Sequence, residues 1–174
     1  VILSSVSKYT GSTYNFTREF YQIKVFQIIF PKTFEELVIA GRLATTRVSG
    51  EVPFTEFRYM YSMDGPILGL GGMQTMRGYK QDRFVGNVMG FGNFEFRYRI
   101  ASFSIKEEDF TISVVPSLDF GRVWDKVKSM SLKDYYYSRT IGLRIIWNQS
   151  TVISMDYGKS GEDSQFFLDL GQTF

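Results

Sequence analysis

The stretch Asn93-Phe-Glu-Phe-Arg-Tyr-Arg-Ile100 decides the fold class. Every even position is apolar and every odd one polar or charged, the period-2 pattern of a strand whose two faces meet different surroundings. One face carries Phe94, Phe96, Tyr98 and Ile100, the other Asn93, Glu95, Arg97 and Arg99. A soluble sheet would lay the apolar face on a core, and the wall of a membrane barrel would lay it on lipid.

Outward from this stretch the same alternation marks eight segments: Val1–Tyr9, Phe20–Phe30, Leu37–Ser49, Asn93–Phe103, Thr111–Trp124, Arg139–Trp147, Thr151–Tyr157 and Phe166–Phe174. Many approach the ~9–11 residues of a tilted membrane strand. The connections at Pro31–Glu36, Ser104–Phe110 and Asn148–Ser150 are short, and those at Thr10–Glu19, Gly50–Gly92, Asp125–Ser138 and Gly158–Gln165 are mostly longer. Short and long alternate, as in a barrel with its tight turns at one rim and its loops at the other. Both ends of the chain then fall on the short-turn side. Tyr9, Phe30, Trp124, Trp147 and Phe174, near strand ends, suit interfacial aromatic girdles. Two places disturb the pattern. The apolar phase of Phe20–Phe30 switches, which predicts a bulge near Val25–Phe26. Pro116 lacks a ladder donor, which predicts a local break or an unpaired position.

Composition agrees with an all-β chain. Of 174 residues 44% are hydrophobic, yet mean hydropathy is only -0.11, so the apolar residues are diluted by polar ones. No run reaches the ~18–20 consecutive apolar residues of a spanning helix. There are 17 Phe and 11 Tyr while Ala and Leu are sparse. The formal charge of +2 is spread along the chain, which argues against a nucleic-acid partner. With no cysteine and no histidine, disulfides, thiolate metal sites and the commonest general base are excluded. Val1-Ile-Leu-Ser-Ser-Val-Ser7 reads like the middle of a strand, the start of a mature chain or of the C-terminal part of a longer one.

The 43 residues of Gly50–Gly92 form the longest connection, well beyond the ~12–15 at which structureless loops become uncommon. Within it, Gly69-Leu-Gly-Gly-Met-Gln-Thr-Met-Arg-Gly-Tyr79 combines four glycines with one arginine. The glycines permit tight turns, and Arg77 is a fixed charge delivered to one place. If the loop dips inward, Arg77 needs an acceptor. With Phe94 and Phe96 on the apolar face, Glu95 points the other way. With Ile112, Val114, Leu118 and Phe120 outward, Ser117, Asp119 and Gly121 point inward. Two carboxylates on neighbouring strands thus face the space into which the loop would fold, and a bidentate guanidinium contact is the natural lock.

Gly71-Gly72, Arg77-Gly78-Tyr79, Asn93-Phe-Glu95, Leu118-Asp119-Phe-Gly121 and a terminal Phe174, in this order, resemble the last half of the barrel of the BamA/TamA-type outer-membrane assembly superfamily, which also includes two-partner secretion transporters. The resemblance covers essentially the whole chain, from about the ninth family strand to the sixteenth. It implies a transmembrane antiparallel β-barrel in which residues 1–174 supply eight strands of a sixteen-stranded wall, preceded by periplasmic POTRA domains. It also implies that Arg77 is the tip arginine of the sixth extracellular loop, Asp119 its partner and Glu95 a second acceptor. Where the family motif begins with an aromatic, this chain has Ser117. Phe166-Phe-Leu-Asp-Leu-Gly-Gln-Thr-Phe174 is similar to the family's C-terminal recognition signal, with Phe166, Leu168, Gly171 and Phe174 in the matching places. An eight-stranded barrel has room only for its own side chains, so eight strands with a lumenal loop are expected to complete a larger barrel.

The function so implied is non-enzymatic assembly or insertion of β-barrel proteins in the bacterial outer membrane. The implied partners are lipid, unfolded barrel precursors and accessory lipoproteins, with no cofactor. Export of one dedicated polypeptide and a passive porin-like barrel are the alternatives, with a soluble β-sandwich outside the class. A catalytic role for Glu95 with Asp119 has no substrate site to support it, and the glycines lack the lysine and following helix of a phosphate loop. Lys106-Glu-Glu-Asp109 reads as a charged turn rather than a cation site, and Tyr135-Tyr-Tyr137 as an interfacial anchor or loop packing.

Overall fold

The structure, a computed structural model, describes residues 1–29, 37–62, 65–148, 150–172 and 174. It is all-β. Ten strands are formed among the described residues: β1 (Ile2–Val6), β2 (Phe16–Ile29), β3 (Leu37–Gly50), β4 (Tyr59–Ser62), β5 (Gly65–Leu68), β6 (Val88–Ile105), β7 (Glu108–Trp124), β8 (Tyr136–Trp147), β9 (Thr151–Ser160) and β10 (Ser164–Leu170). Eight of them make one antiparallel sheet in the order β1-β2-β3-β6-β7-β8-β9-β10, each strand pairing with its neighbour in the chain once the β4–β5 hairpin is set aside. β1 and β10 are the sheet's edges and do not pair with each other among the described residues.

Each of the eight alternating segments lies on one of these strands, with shifted ends. β6 starts five residues before Asn93 because Val88–Gly92 pair with β7 as far as Trp124. The long connection is not irregular throughout: β4 and β5 form a hairpin inside it. The bulge expected near Val25–Phe26 is absent. β2 and β3 pair in one register from Phe16↔Gly50 to Ile29↔Leu37, so Phe26 and Ile28 point to the inner face with Phe20. The phase switch in the sequence marks an inner face that turns apolar towards the short-turn end. The one register shift lies instead between Arg99 and Ala101 of β6. Opposite Pro116 the β6–β7 ladder lapses, resuming in the same phase at Tyr98↔Val114, as a residue without an N–H requires.

Three further expectations need correction. β9 and β10 are joined by residues 161–163 alone, so this connection is no longer than 148–150 and the alternation of short and long fails there. Tyr9 lies in a 3-10 turn and is fully exposed rather than on a strand end. The last strand stops at Leu170, because Gly171 takes φ 145 and turns the chain away. Phe30 and the turn at 31–36 lie outside the described residues.

The two faces differ sharply. Outward-facing Ile23, Val25, Leu43, Phe94, Phe96, Tyr98, Leu118, Ile141, Tyr157, Phe166, Leu168 and Leu170 are all exposed, with no second sheet against them among the described residues. The inner face is covered towards the loop end. There Phe20, Ala44, Met89 and Phe91 of the sheet close over Met60, Ile67, Leu70, Met76, Tyr79 and Phe84 of the long connection, forming one apolar cluster. Burial of these side chains, at ~25 cal/mol per Å² of apolar surface, is what seats the connection on the sheet. Among the described residues no helix is long and apolar enough to cross a membrane, which has no bearing on strands.

Candidate functional site: a buried arginine under the long connection

Gly71 and Gly72 have φ 112 and 86, where a side chain is strained, and a Cβ on Gly71 would lie 2.1 Å from the Lys80 carbonyl oxygen. The chain can therefore fold back on itself, and the Gly72 N–H donates to the Tyr79 carbonyl at 2.9 Å. Inside this closed turn Thr75 Oγ1 accepts from the Gly71 N–H and donates to the Gly71 carbonyl, both at 2.9 Å. The turn has one way to face, and it delivers Arg77 to the sheet.

Arg77 is completely buried. Its backbone N–H and Nε both donate to Asp119 Oδ2, at 3.0 and 2.9 Å, and one terminal nitrogen donates to Asp119 Oδ1 at 2.7 Å. The other donates to Glu95 Oε1 at 2.7 Å and lies 3.6 Å from Asp156 Oδ1. The last contact is ionic only, too long for a hydrogen bond. Burial by itself disfavours the charged guanidinium. Asp119, Glu95 and Asp156 together outweigh it, Asp119 contributing most, so the pKa rises above the ordinary arginine value and the cation persists.

The three acids come from three strands, β6, β7 and β9, and each is itself held. Glu95 Oε2 accepts from Arg97 at 2.9 Å. Asp156 pairs with Arg144 at 2.9 Å. Asn93 donates to Asp119 Oδ1 at 2.8 Å and to the Thr75 carbonyl at 2.6 Å, while its own oxygen accepts from Arg42 at 2.7 Å. Glu95, Asp119 and Asp156 thus balance Arg77, Arg97 and Arg144. Buried charges persist when so paired, and removing one partner strands the rest.

Close packing requires that the sheet lack side chains under the turn. A Cβ on Gly158 would lie 2.2 Å from the Arg77 carbonyl oxygen, and one on Gly121 would lie 2.7 Å from the Met76 sulfur. From the other side, a Cβ on Gly78 would strike Ser138 and the backbone of Lys159 and Ser160. Tyr79 is buried beside Gly78, its ring edge-on to Phe84 at 5.3 Å and its hydroxyl donating to the Tyr137 carbonyl at 3.3 Å. At the rim, Arg83 meets Glu162 at 2.7 Å.

Of the residues singled out in the sequence, Gly71, Gly72, Arg77, Gly78, Tyr79, Glu95 and Asp119 come together here. Phe166, Leu168 and Gly171 do not, and Phe174 reaches the site only at its margin, through Arg97 and Arg42. Phe166 and Leu168 face outward on the edge strand. Gly171 redirects the last residues to the inner face, where the Phe174 ring lies 4.6 Å from the Arg42 guanidinium and its backbone oxygen accepts from Arg97 at 3.0 Å. Phe174 is therefore not a girdle aromatic. Sequence reasoning missed Asp156, Arg144, Asn93 and Gly158 as parts of this site. The signal existed: in Thr151–Tyr157, Ile153, Met155 and Tyr157 set the outward phase, so Asp156 points inward as Glu95 does.

Comparisons with family models, with curated proteins and with solved structures gave no match.

Proposed function

We propose that the chain is part of the wall of a transmembrane β-barrel in the bacterial outer membrane, one half of a sixteen-stranded barrel, and that it works as a non-enzymatic assembly and insertion factor for β-barrel proteins. The observation that carries this reading is the Arg77 lock. A loop arginine held by Asp119 and Glu95, under a sheet whose opposite face is apolar and exposed, is the arrangement that the resemblance to outer-membrane assembly proteins implies.

In this reading β10 is the working edge. Its seven residues present unpaired backbone donors and acceptors, to which a strand of an incoming precursor adds. The turn at Gly171 ends the strand early, so pairing on that side is short. The locked loop stiffens β6 to β9 while the edge exchanges partners, and no nucleotide hydrolysis is needed. Export of a dedicated polypeptide uses the same wall.

The test is a charge exchange in the full-length protein reconstituted in vesicles, with insertion of an unfolded barrel substrate read by its heat-modifiable migration. Arg77→Glu should abolish insertion, and adding Asp119→Arg should restore part of it. Full activity of Arg77→Glu would refute the role of the lock, and absence of any rescue would refute direct pairing as its basis. Release of the protein from membranes by carbonate without detergent would refute the membrane reading altogether.

A further inference from the structure

Four strands stack their outward residues in rows. Pro116, Ile141, Tyr157 and Phe166 lie side by side across β7, β8, β9 and β10, followed by Val114, Leu143, Met155 and Leu168, then Ile112, Ile145, Ile153 and Leu170. All twelve are apolar or aromatic. The row immediately above them, towards the loop end, is Leu118, Arg139, Lys159 and Ser164. Its two central positions are both cationic and directly opposite each other.

Like charges in directly opposed positions, with Cβ atoms ~4.5–5.5 Å apart, destabilise a sheet. Neither side chain has an ion pair or hydrogen bond among the described residues, and both are exposed. The contrast is Arg47, outward on β3 at the same end, which stands opposite Glu19. Arg139 lies eight residues from Trp147 along β8, ~26 Å at ~3.3 Å per residue and ~20 Å in height at a strand tilt of ~40°, so the pair sits towards the opposite rim of a ~25 Å apolar band from that aromatic.

We infer that Arg139 and Lys159 form a binding site for the anionic phosphomonoester of a membrane lipid, whose acyl chains lie down the three apolar rows below. The inference rests on the membrane reading above. The chemistry is complementary at each level. The guanidinium offers planar paired donors and the ammonium a mobile point charge, so both reach one phosphate, and only a lipid offers hydrocarbon directly beneath it. A free phosphate ion meets the cations alone.

The full-length protein is folded into phosphatidylcholine vesicles containing diphosphoryl lipid A, extracted in mild detergent, and its retained lipid counted by native mass spectrometry. The wild type should keep lipid A about tenfold or more over the double variant Arg139→Gln/Lys159→Gln, the scale of two lost charge-assisted contacts. Arg47→Gln should match the wild type. Arg139→Lys, which keeps the charge, should retain most of the lipid and guards against a folding defect in the double variant. Equal retention by wild type and double variant, in protein that resists carbonate extraction, overturns the site and leaves the membrane reading standing. Displacement of the lipid by excess inorganic phosphate overturns the lipid as the occupant. Extraction by carbonate removes both readings together.

Discussion

Replacing Gly158 with alanine turns the docking of the loop into a question of sign. Gly158 lies within β9, with no positive φ to preserve, so on a bare strand alanine would stabilise by about 0.5–1 kcal/mol through reduced backbone entropy. With the turn in place the new methyl would lie 2.2 Å from the Arg77 carbonyl oxygen, 2.4 Å from its carbon and 2.8 Å from the Gly78 nitrogen. All three are backbone atoms, so relief requires the turn to retreat by ~1 Å or more, to the ~3.5–4 Å of ordinary contact. That retreat lengthens the bonds Arg77 makes to Asp119, which stand at 2.7 to 3.0 Å. Overpacking alone costs about 1–3 kcal/mol, and loss of one charge-assisted bond of ~1.5–3 kcal/mol brings the total to about 2.5–6 kcal/mol. For a chain of this size that lowers the melting midpoint by about 5–24 °C. The assay is heat-modifiable migration of the folded protein in detergent at a fixed heating rate, paired with trypsin cleavage after Lys80 and Arg83. Gly161→Ala is the control, since a Cβ there meets nothing within 4 Å. A Gly158→Ala protein as stable as Gly161→Ala, with its loop still protected from trypsin, would refute the close approach of turn and sheet.

Two further predictions concern the same site. Among the acids, Asp119→Asn should cost most, on the order of the 3–5 kcal/mol of a broken buried pair, since Asp119 accepts three bonds from Arg77. Glu95→Gln should cost less and Asp156→Asn act mainly through Arg144, a ranking read from chemical-denaturation midpoints; an Asp156→Asn loss exceeding that of Asp119→Asn would contradict it. Gly71→Ala combines a φ of 112 with a methyl 2.1 Å from the Lys80 oxygen, so it should open the turn and admit trypsin at Lys80 while the far-ultraviolet circular dichroism of the sheet persists; unchanged protection would contradict it.

The strands were legible because one face of the sheet is apolar and the other carries polar and charged side chains, which writes period 2 into Asn93–Ile100 and its neighbours. Glu95 and Asp119 followed from parity alone. The β4–β5 hairpin was not legible, since four residues leave too little alternation to separate it from loop, and Met60 and Ile67 are buried by the sheet beneath them rather than by a pattern of their own. Phe26 and Ile28 misled for a related reason. Alternation reports polarity, and where the inner face becomes apolar the phase is lost while the register runs on. Gly158 could not be read as a contact site from one strand, because what excludes its side chain is the backbone of a turn about eighty residues earlier in the chain.

That separation has a consequence for how quickly the protein matures. The acids that receive Arg77 follow it by eighteen, forty-two and seventy-nine residues, so the cation waits, during synthesis and folding, for partners that arrive in sequence. Contacts so distant along the chain pay loop-closure entropy before they return anything, and slow the search for the native state. Until β9 is laid beside β8, the turn has neither its third acid nor the glycine floor of Gly158. Seating of the arginine is therefore a late event, and a chain stalled before β9 would present a premature, half-neutralised wall to whatever handles it in transit.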